Sequence, residues 1–410
     1  ERGNSVYLVD RTIPMLPEKL SNQLCSLRPH EDKLCFSAVF RFDQDHNVVS
    51  RWCGRTVIWS ACRMSYEEAQ AVLDKVIDVH TSSGPIPEPI REGLFFLHAL
   101  AHKLRKERMH RGAIAFERPE VKVQVDEKGD PLSIQVMELL DSHWLIEEFM
   151  LLANREVAEF INKKKDKKTG KAPTFVYRVH EAPAEDKITA FRNFVHHFGY
   201  EMKQTKTVRE YARELNRLLE KTKEKPESGG IIIMALRSMA RAHYTTNNVG
   251  HYGLAFDHYT HFTSPIRRYS DLMVHRLLLH YMNGGKNESQ ADMEARCTYI
   301  SQREQLATEA ERASIKYKMV EFMQDKVGRE FDGVITGLTE WGIYVELEQT
   351  QVEGMVPLRD IQDDYYVFDK ETVTLTGTHN GTRYVLGQKV RIRVSRANLE
   401  QKQLDFILIQ

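Results

Sequence analysis

The sequence predicts an α+β protein that ends in a small all-β unit, and three observations carry that expectation. Apolar residues recur at helical spacing in long stretches, as at Leu94, Leu97, Leu100, Ala101 and Leu104. Between such stretches lie short apolar runs broken by turn residues, among them SVYLV, LCFSAVF and RTVIWSA. Beyond Gly328 the helical spacing stops. There GREFDGVITGLTEWGIYVELEQTQVEGMVPLRDI, followed by VLGQKVRIRVSRANLEQKQLDFIL, alternates as five short strands with Gly-rich turns. A chain of 410 residues with 41% hydrophobic content is long enough for two or more cores. The expected division is 1–326 and 327–410.

Taken in order, residues 1–65 have strand character, with Pro14, Pro17 and Pro29 in the connections. Asp43-Gln44-Asp45-His46-Asn47 falls between two strand-like runs and reads as a polar hairpin turn rather than a metal-binding DxD. Tyr66 opens a helix expected to run through Val79. A second helix is expected over Ile90–Met109 and ends in His102, Lys103, Arg105, Lys106, Arg108, His110 and Arg111. Those cations complement a helix C-terminus, and they equally suit a phosphate backbone. Gly112 stops this helix, and a hairpin follows around Lys128-Gly129-Asp130. Residues 142–162 form another helix, in which Glu147 and Glu148 interrupt an apolar run and need a partner, exposure or a job. A charged linker, KKKDKKTGK, comes next, then helices at 183–198, 207–220, 231–243 and 288–325.

Lys+Arg and Asp+Glu number 58 each, so any nucleic-acid path must be a local basic groove rather than bulk charge. Cys25, Cys35, Cys53, Cys62 and Cys297 are odd in number and form no CxxC pair, which fits a reduced cytoplasmic protein better than a disulfide scaffold or zinc site. His243, His251, His258, His261 and His275 match no familiar zinc spacing and read as loop or core residues. No apolar run is long enough for a membrane span.

The most informative stretch is GHYGLAFDHYTHFTSPIRRYSDLMVHRLLL, residues 250–279. Ser264 suits an N-cap and Pro265 the first helical position, so a helix is expected to start there, with Ile266, Tyr269, Met273 and Leu277 on its buried face. Arg267 and Arg268 would then occupy the first turn, where the helix dipole favours anions over cations. They make sense there if an anion docks beside them. The plainer reading pairs Arg267 with Asp271 on a solvated face.

This stretch resembles the signature of the RNB catalytic domain of the ribonuclease II/ribonuclease R family. RGNSVYLVDRTIPMLPEKLSNQLCSLRP, RGAIAFERPEVKV and LIEEFMLLANREVAEFI resemble further blocks of the same domain, and the C-terminal strands resemble the S1 RNA-binding OB-fold barrel, nearest the bacterial ribonuclease R branch. The resemblance implies processive 3′-to-5′ hydrolysis of single-stranded RNA to nucleoside 5′-monophosphates by a cytoplasmic monomer with magnesium. It also implies that the metal-binding aspartate cluster lies upstream of the first block. The chain begins at Glu1 without that cluster, so it is expected to be an N-terminally truncated piece that holds no metal ligands and is inactive alone.

The resemblance assigns roles that compete with plain packing. Arg267 would stabilise charge on the phosphoryl oxygens, with Arg268 as neighbour or substitute. Tyr7 and Phe116 would clamp the terminal base, unless they are core aromatics. Tyr66 would recognise the ribose, and Glu147 or Glu148, with Glu147 favoured, would accept a hydrogen bond from its 2′-hydroxyl. In the barrel, Phe331, Trp341 and Tyr344 are candidates for base stacking, Tyr344 first, with Arg391 and Arg393 as phosphate partners. The alternatives from other classes are a catalytically inactive RNA-binding regulator and a subunit of a larger complex using the same folds.

Overall fold

A computed structural model describes residues 2–409 apart from 77, 83, 115–119, 166–169, 206, 226 and 371. Its first part opens with a two-stranded pair, β1 (Val6–Tyr7) and β2 (Thr12–Ile13), and a long hairpin, β3 (Asp32–Phe42) with β4 (Val48–Trp59). The polar segment 43–47 is the turn of that hairpin, with Asp43 accepting from the Asn47 N–H at 2.8 Å. Helix α1 (Tyr66–Leu73) is shorter than expected: it ends in a turn at Asp74-Lys75, and the small pair β5 (His80–Thr81) and β6 (Gly84–Pro85) follows. Helix α2 (Glu88–Arg111) ends at Gly112, whose left-handed φ of +103° a side chain would strain. The expected hairpin follows as β7 (Glu120–Val125) and β8 (Pro131–Met137), and then α3 (Asp141–Lys163).

Strand β9 (Tyr177–Val179), α4 (Glu185–His196), α5 (Val208–Thr222) and α6 (Ser228–Ser238) come next. The helix expected to reach His243 stops at Ser238, because His243–Thr245 leaves as β10 and pairs antiparallel with β9. Helices α7 (Tyr269–Met282) and α8 (Gln290–Met323) close this part. In α3, Leu145, Leu152, Val157, Ala158 and Ile161 are buried. Val157, Ala158 and Ile161 join Val274, Leu277, Leu278 and Ile300 in one core, so the signature helix packs on the helix bearing the two glutamates.

The C-terminal part closes as a five-stranded barrel in the order β11 (Glu330–Leu338), β12 (Gly342–Leu347), β13 (Glu353–Pro357), β18 (Gln403–Ile409), β17 (Lys389–Asn398). Alternation sets its inside: Ile343, Val345 and Leu347 are buried while Tyr344 and Glu346 between them are not. A three-stranded sheet beyond the five expected strands, β14 (Tyr366–Asp369), β15 (Thr374–Gly377) and β16 (Arg383–Val385), is inserted between β13 and β17. Barrel residues Ile335 and Phe406 share one core with Phe191, Leu215 and Ile231 of α4–α6. The barrel is therefore packed against the helices. Among the described residues the five cysteines are free, and no helix is long and apolar enough to cross a membrane.

Candidate functional site

The two arginines do not lie in a first helical turn. Ser264 O accepts from the N–H groups of Arg267 and Arg268 at 3.2 and 3.0 Å, forming a turn, and Arg268 is the extended N-cap of α7. The start expected at Ser264 is thus displaced to Tyr269, for a tertiary reason. Ser5 N–H donates to Arg267 O at 2.9 Å, Tyr269 N–H donates to Gly3 O at 2.8 Å, and Asn4 bridges Arg268. Backbone committed to a strand-like bridge cannot also be helical. Gly3 is required at this crossing, since a Cβ there would meet the Arg303 Cβ at 2.7 Å.

Asp271, fully buried, organises the turn. It accepts from the Ser264 N–H at 2.7 Å, the Ser270 hydroxyl at 3.0 Å, and the Arg268 Nε and Nη2 at 2.9 Å each. The carboxylate considered as a partner for Arg267 therefore belongs to Arg268. Nearby, Arg178 pairs with Glu304 at 2.5 Å and lies 4.6 Å from the centre of the Tyr244 ring. Tyr244 Oη and His261 Nδ1 are hydrogen-bonded at 2.8 Å. Burial first, then the positive charges of Arg268 and Arg178, and after them His251 and Arg267, push His261 well below its ordinary value. Burial pushes His251 down to about 3, with His180 and Arg178 adding to it. Two arginines here each have a carboxylate, and Arg267, exposed, has none among the described residues. Arg267 thus presents a positive charge at this turn that an anionic ligand can meet.

Tyr7 comes to this turn through the same bridge. It follows Ser5 by two residues, its N–H donates to Glu311 of α8 at 2.9 Å, and the residue is 46% exposed. Tyr66, Glu147 and Glu148 form a second group at the N-terminal half of α3. The Tyr66 ring is exposed and stacks on His143 with centroids 4.0 Å apart, and its carbonyl accepts from the Ser142 hydroxyl at 2.8 Å. Glu148 is buried, with Oε1 3.2 Å and Oε2 3.3 Å from the Nε of buried Arg108. It is unsuited to a ribose, because both its oxygens are held by that guanidinium. Glu147 touches the same Arg108 at 3.2 Å with one oxygen while its side chain stays 45% exposed, so it can accept from a ligand. Arg108 is thus a structural cation rather than part of an exposed basic stripe. A cavity of about 230 Å³ adjoins this pair, lined by Arg51, Arg108, Arg155, Glu148, Glu156 and Phe256 among others. Phe116 lies outside the described residues.

Asn154 ties α3 to the signature loop. Its Nδ2 donates to Tyr259 Oη at 3.1 Å, and its Oδ1 accepts from the Phe262 N–H at 2.8 Å. Sequence reasoning missed this strut; the available signal was a lone amide within the apolar run LLANREV. Seven residues along a helix, about 10 Å, separate Glu147 from Asn154. The two groups are therefore joined through α3.

On the barrel, Trp341 is 72% exposed and Tyr344 half-buried. The Tyr344 ring lies against Gly337, where an added Cβ would meet the Tyr344 Cβ at 3.2 Å. Phe331 packs against the barrel core, leaving less of its face for a base. Arg391 and Arg393 are exposed and share one carboxylate, Glu330, at 3.3 and 2.8 Å. The hydrogen bond from Arg393 holds Glu330 below the usual carboxylate range. Two cations on one anion leave this strand pair net positive.

With this geometry in view, residues 1–284 match the RNB domain family and residues 324–407 match the S1 RNA binding domain. The chain belongs to the RNB family. It is similar to Ribonuclease R of Aquifex aeolicus, 37% identical over 414 residues, covering 100% of this chain and 57% of that protein. Against Ribonuclease R of Escherichia coli K12 the identity is 34% over 422 residues, covering 100% of this chain and 50% of the relative. Among solved structures it is similar to Mycoplasma genitalium RNase R in complex with ribose methylated single-stranded RNA. There the TM-score is 0.89 at 27% identity, covering 99% of this chain and 63% of that one. The chain thus spans between half and three-fifths of the length of the relatives it matches.

Within this RNB chain a magnesium pair would need free carboxylates near Arg267. Asp271 and Glu304 are engaged by Arg268 and Arg178. These carboxylates do not fit a two-metal centre.

Proposed function

We propose that this chain forms the RNA-gripping part of a processive 3′-to-5′ exoribonuclease that hydrolyses single-stranded RNA to nucleoside 5′-monophosphates. The reading rests on one observation above all: among the described residues Arg267 is left without a carboxylate beside the buried Arg268–Asp271 pair, in a turn pinned to the strand that carries Tyr7. Arg267 meets the phosphoryl oxygens as negative charge develops. Arg268 acts through Asp271 as a positioning residue for that turn. Tyr7 lies beside the terminal base, while Tyr66 and Glu147 check the sugar. Residues 1–326 and 327–410 work as two units, the second feeding RNA across Trp341 and Tyr344, with Arg391 and Arg393 on the backbone. The Ribonuclease R identity of the relatives, and the RNA bound to the Mycoplasma genitalium structure, support the substrate class.

A divalent metal, magnesium by family resemblance, would have to be held by other residues. The 410-residue chain alone is therefore expected to bind a single-stranded RNA oligonucleotide but not shorten it when magnesium is supplied. A 5′-labelled oligonucleotide resolved on a denaturing gel reads this directly; a ladder of shortened products would contradict it. The second reading, an RNA-binding protein that does not cleave, draws on the same engaged carboxylates. Turnover by the full-length gene product decides between the two.

Trp341→Ala is expected to weaken oligonucleotide binding by about 1–3 kcal/mol, the usual contribution of one stacked base. Fluorescence anisotropy measures the loss. The exposed ring makes little of the fold, so Tm should hardly move.

A further inference from the structure

Away from the arginine turn, three side chains converge where α2 packs against the start of α3. His98 and His102 are four residues apart on α2, which places both rings on one face, one turn apart. Asp141 is the first residue of α3. The two Nε2 atoms are 2.9 Å apart, and Asp141 reaches His98 Nε2 at 3.3 Å and His102 Nε2 at 3.6 Å. The side chains are 27%, 52% and 33% exposed in that order, so an ion and its water can enter without opening a core.

With both rings neutral and no ion present, the cluster is poorly matched to itself. Two neutral rings facing each other through Nε2 can share one N–H, and whichever ring donates to the other has none left for Asp141. A cation removes the conflict, because two imidazole lone pairs and a carboxylate then all act as donors. Two nitrogens and one oxygen with an open fourth position suit a zinc-class ion, whereas magnesium prefers an all-oxygen shell. Tetrahedral ligation with bonds of about 2.0–2.1 Å asks the two nitrogens to sit roughly 3.3 Å apart. A small rotation of the half-exposed His102 ring supplies the difference.

We propose that His98, His102 and Asp141 form a binding site for a zinc-class divalent transition metal that clamps α2 to α3. The clamp sits at the turn that supports Tyr66, since Ser142 donates to the Tyr66 carbonyl and His143 stacks on its ring. An occupied site therefore steadies the Tyr66 platform without itself touching RNA.

The test is calorimetric titration of the 410-residue chain with zinc chloride in excess magnesium chloride, beside His98→Ala, His102→Ala and Asp141→Asn. The expected result is one equivalent bound by the unaltered chain, with affinity at least about tenfold lower in each variant. Cobalt(II) loaded in place of zinc should give the visible absorption of a tetrahedral site without a thiolate charge-transfer band, and His102→Ala should abolish it. Circular dichroism confirms that each variant is folded; His102 is the most exposed of the three, so its variant keeps the test valid if another misfolds. No saturable zinc binding, unchanged affinity in His102→Ala, or displacement of zinc by magnesium would each overturn the proposal.

Discussion

Arg267→Ala in the full-length gene product is expected to lower kcat on single-stranded RNA by about 10²–10³-fold, the usual cost of one preorganised donor to a developing anion. Affinity for RNA should change little, because one exposed side chain is a small part of a footprint that also includes the barrel. The physical basis is the charge count in the turn: Arg268 and Arg178 have carboxylates of their own, and Arg267 has none among the described residues. Arg267→Lys keeps the charge but loses the planar fork, so it should recover part of the rate. Single-turnover assays with enzyme in excess separate the chemical step from binding. Equal rates for Arg267→Ala and the unaltered protein would remove this residue from the mechanism.

Asp271→Ala is expected to cost about 3–5 kcal/mol of folding stability, because it leaves the Arg268 guanidinium charged and largely buried without its partner. It also strips the Ser264 N–H and the Ser270 hydroxyl of their acceptor. Denaturant unfolding of the 410-residue chain measures the loss. The double variant Asp271→Ala/Arg268→Met should be more stable than Asp271→Ala, since it takes the orphaned charge away. A loss under about 1 kcal/mol in the single variant would mean that solvent reaches Arg268 and that the turn is not organised by a buried pair.

The parts of the fold that were legible in sequence are those where one periodicity runs long. Helices α2, α3 and α8 fall close to the spans set by their apolar spacing, and the barrel strands fall where alternation and glycine punctuation put them. The misses come from contacts distant in sequence. Ser264-Pro265 is a sound local start for a helix, but pairing of residues 3–5 with 267–269 overrides it. The run IIIMALRSMARAH reads as one helix, yet its end is taken by β9 as a strand partner. Within the site, Glu147 and Glu148 are adjacent in sequence but about 100° apart around α3. Only the position of Arg108 on α2 shows which one is buried and which stays open. His98 and His102 stand at a four-residue interval in α2, but only the packing of α2 on α3 brings Asp141 to them.

The most direct measurement is an experimental structure of the 410-residue chain with a short single-stranded RNA. The expected result is a backbone phosphate within hydrogen-bond reach of the Arg267 guanidinium, with the 3′-terminal base beside Tyr7 and its sugar facing Tyr66 and Glu147. RNA held only by Trp341, Arg391 and Arg393 on the barrel, with Arg267 left in solvent, would contradict the claim that this cationic turn exists to seat an RNA phosphate.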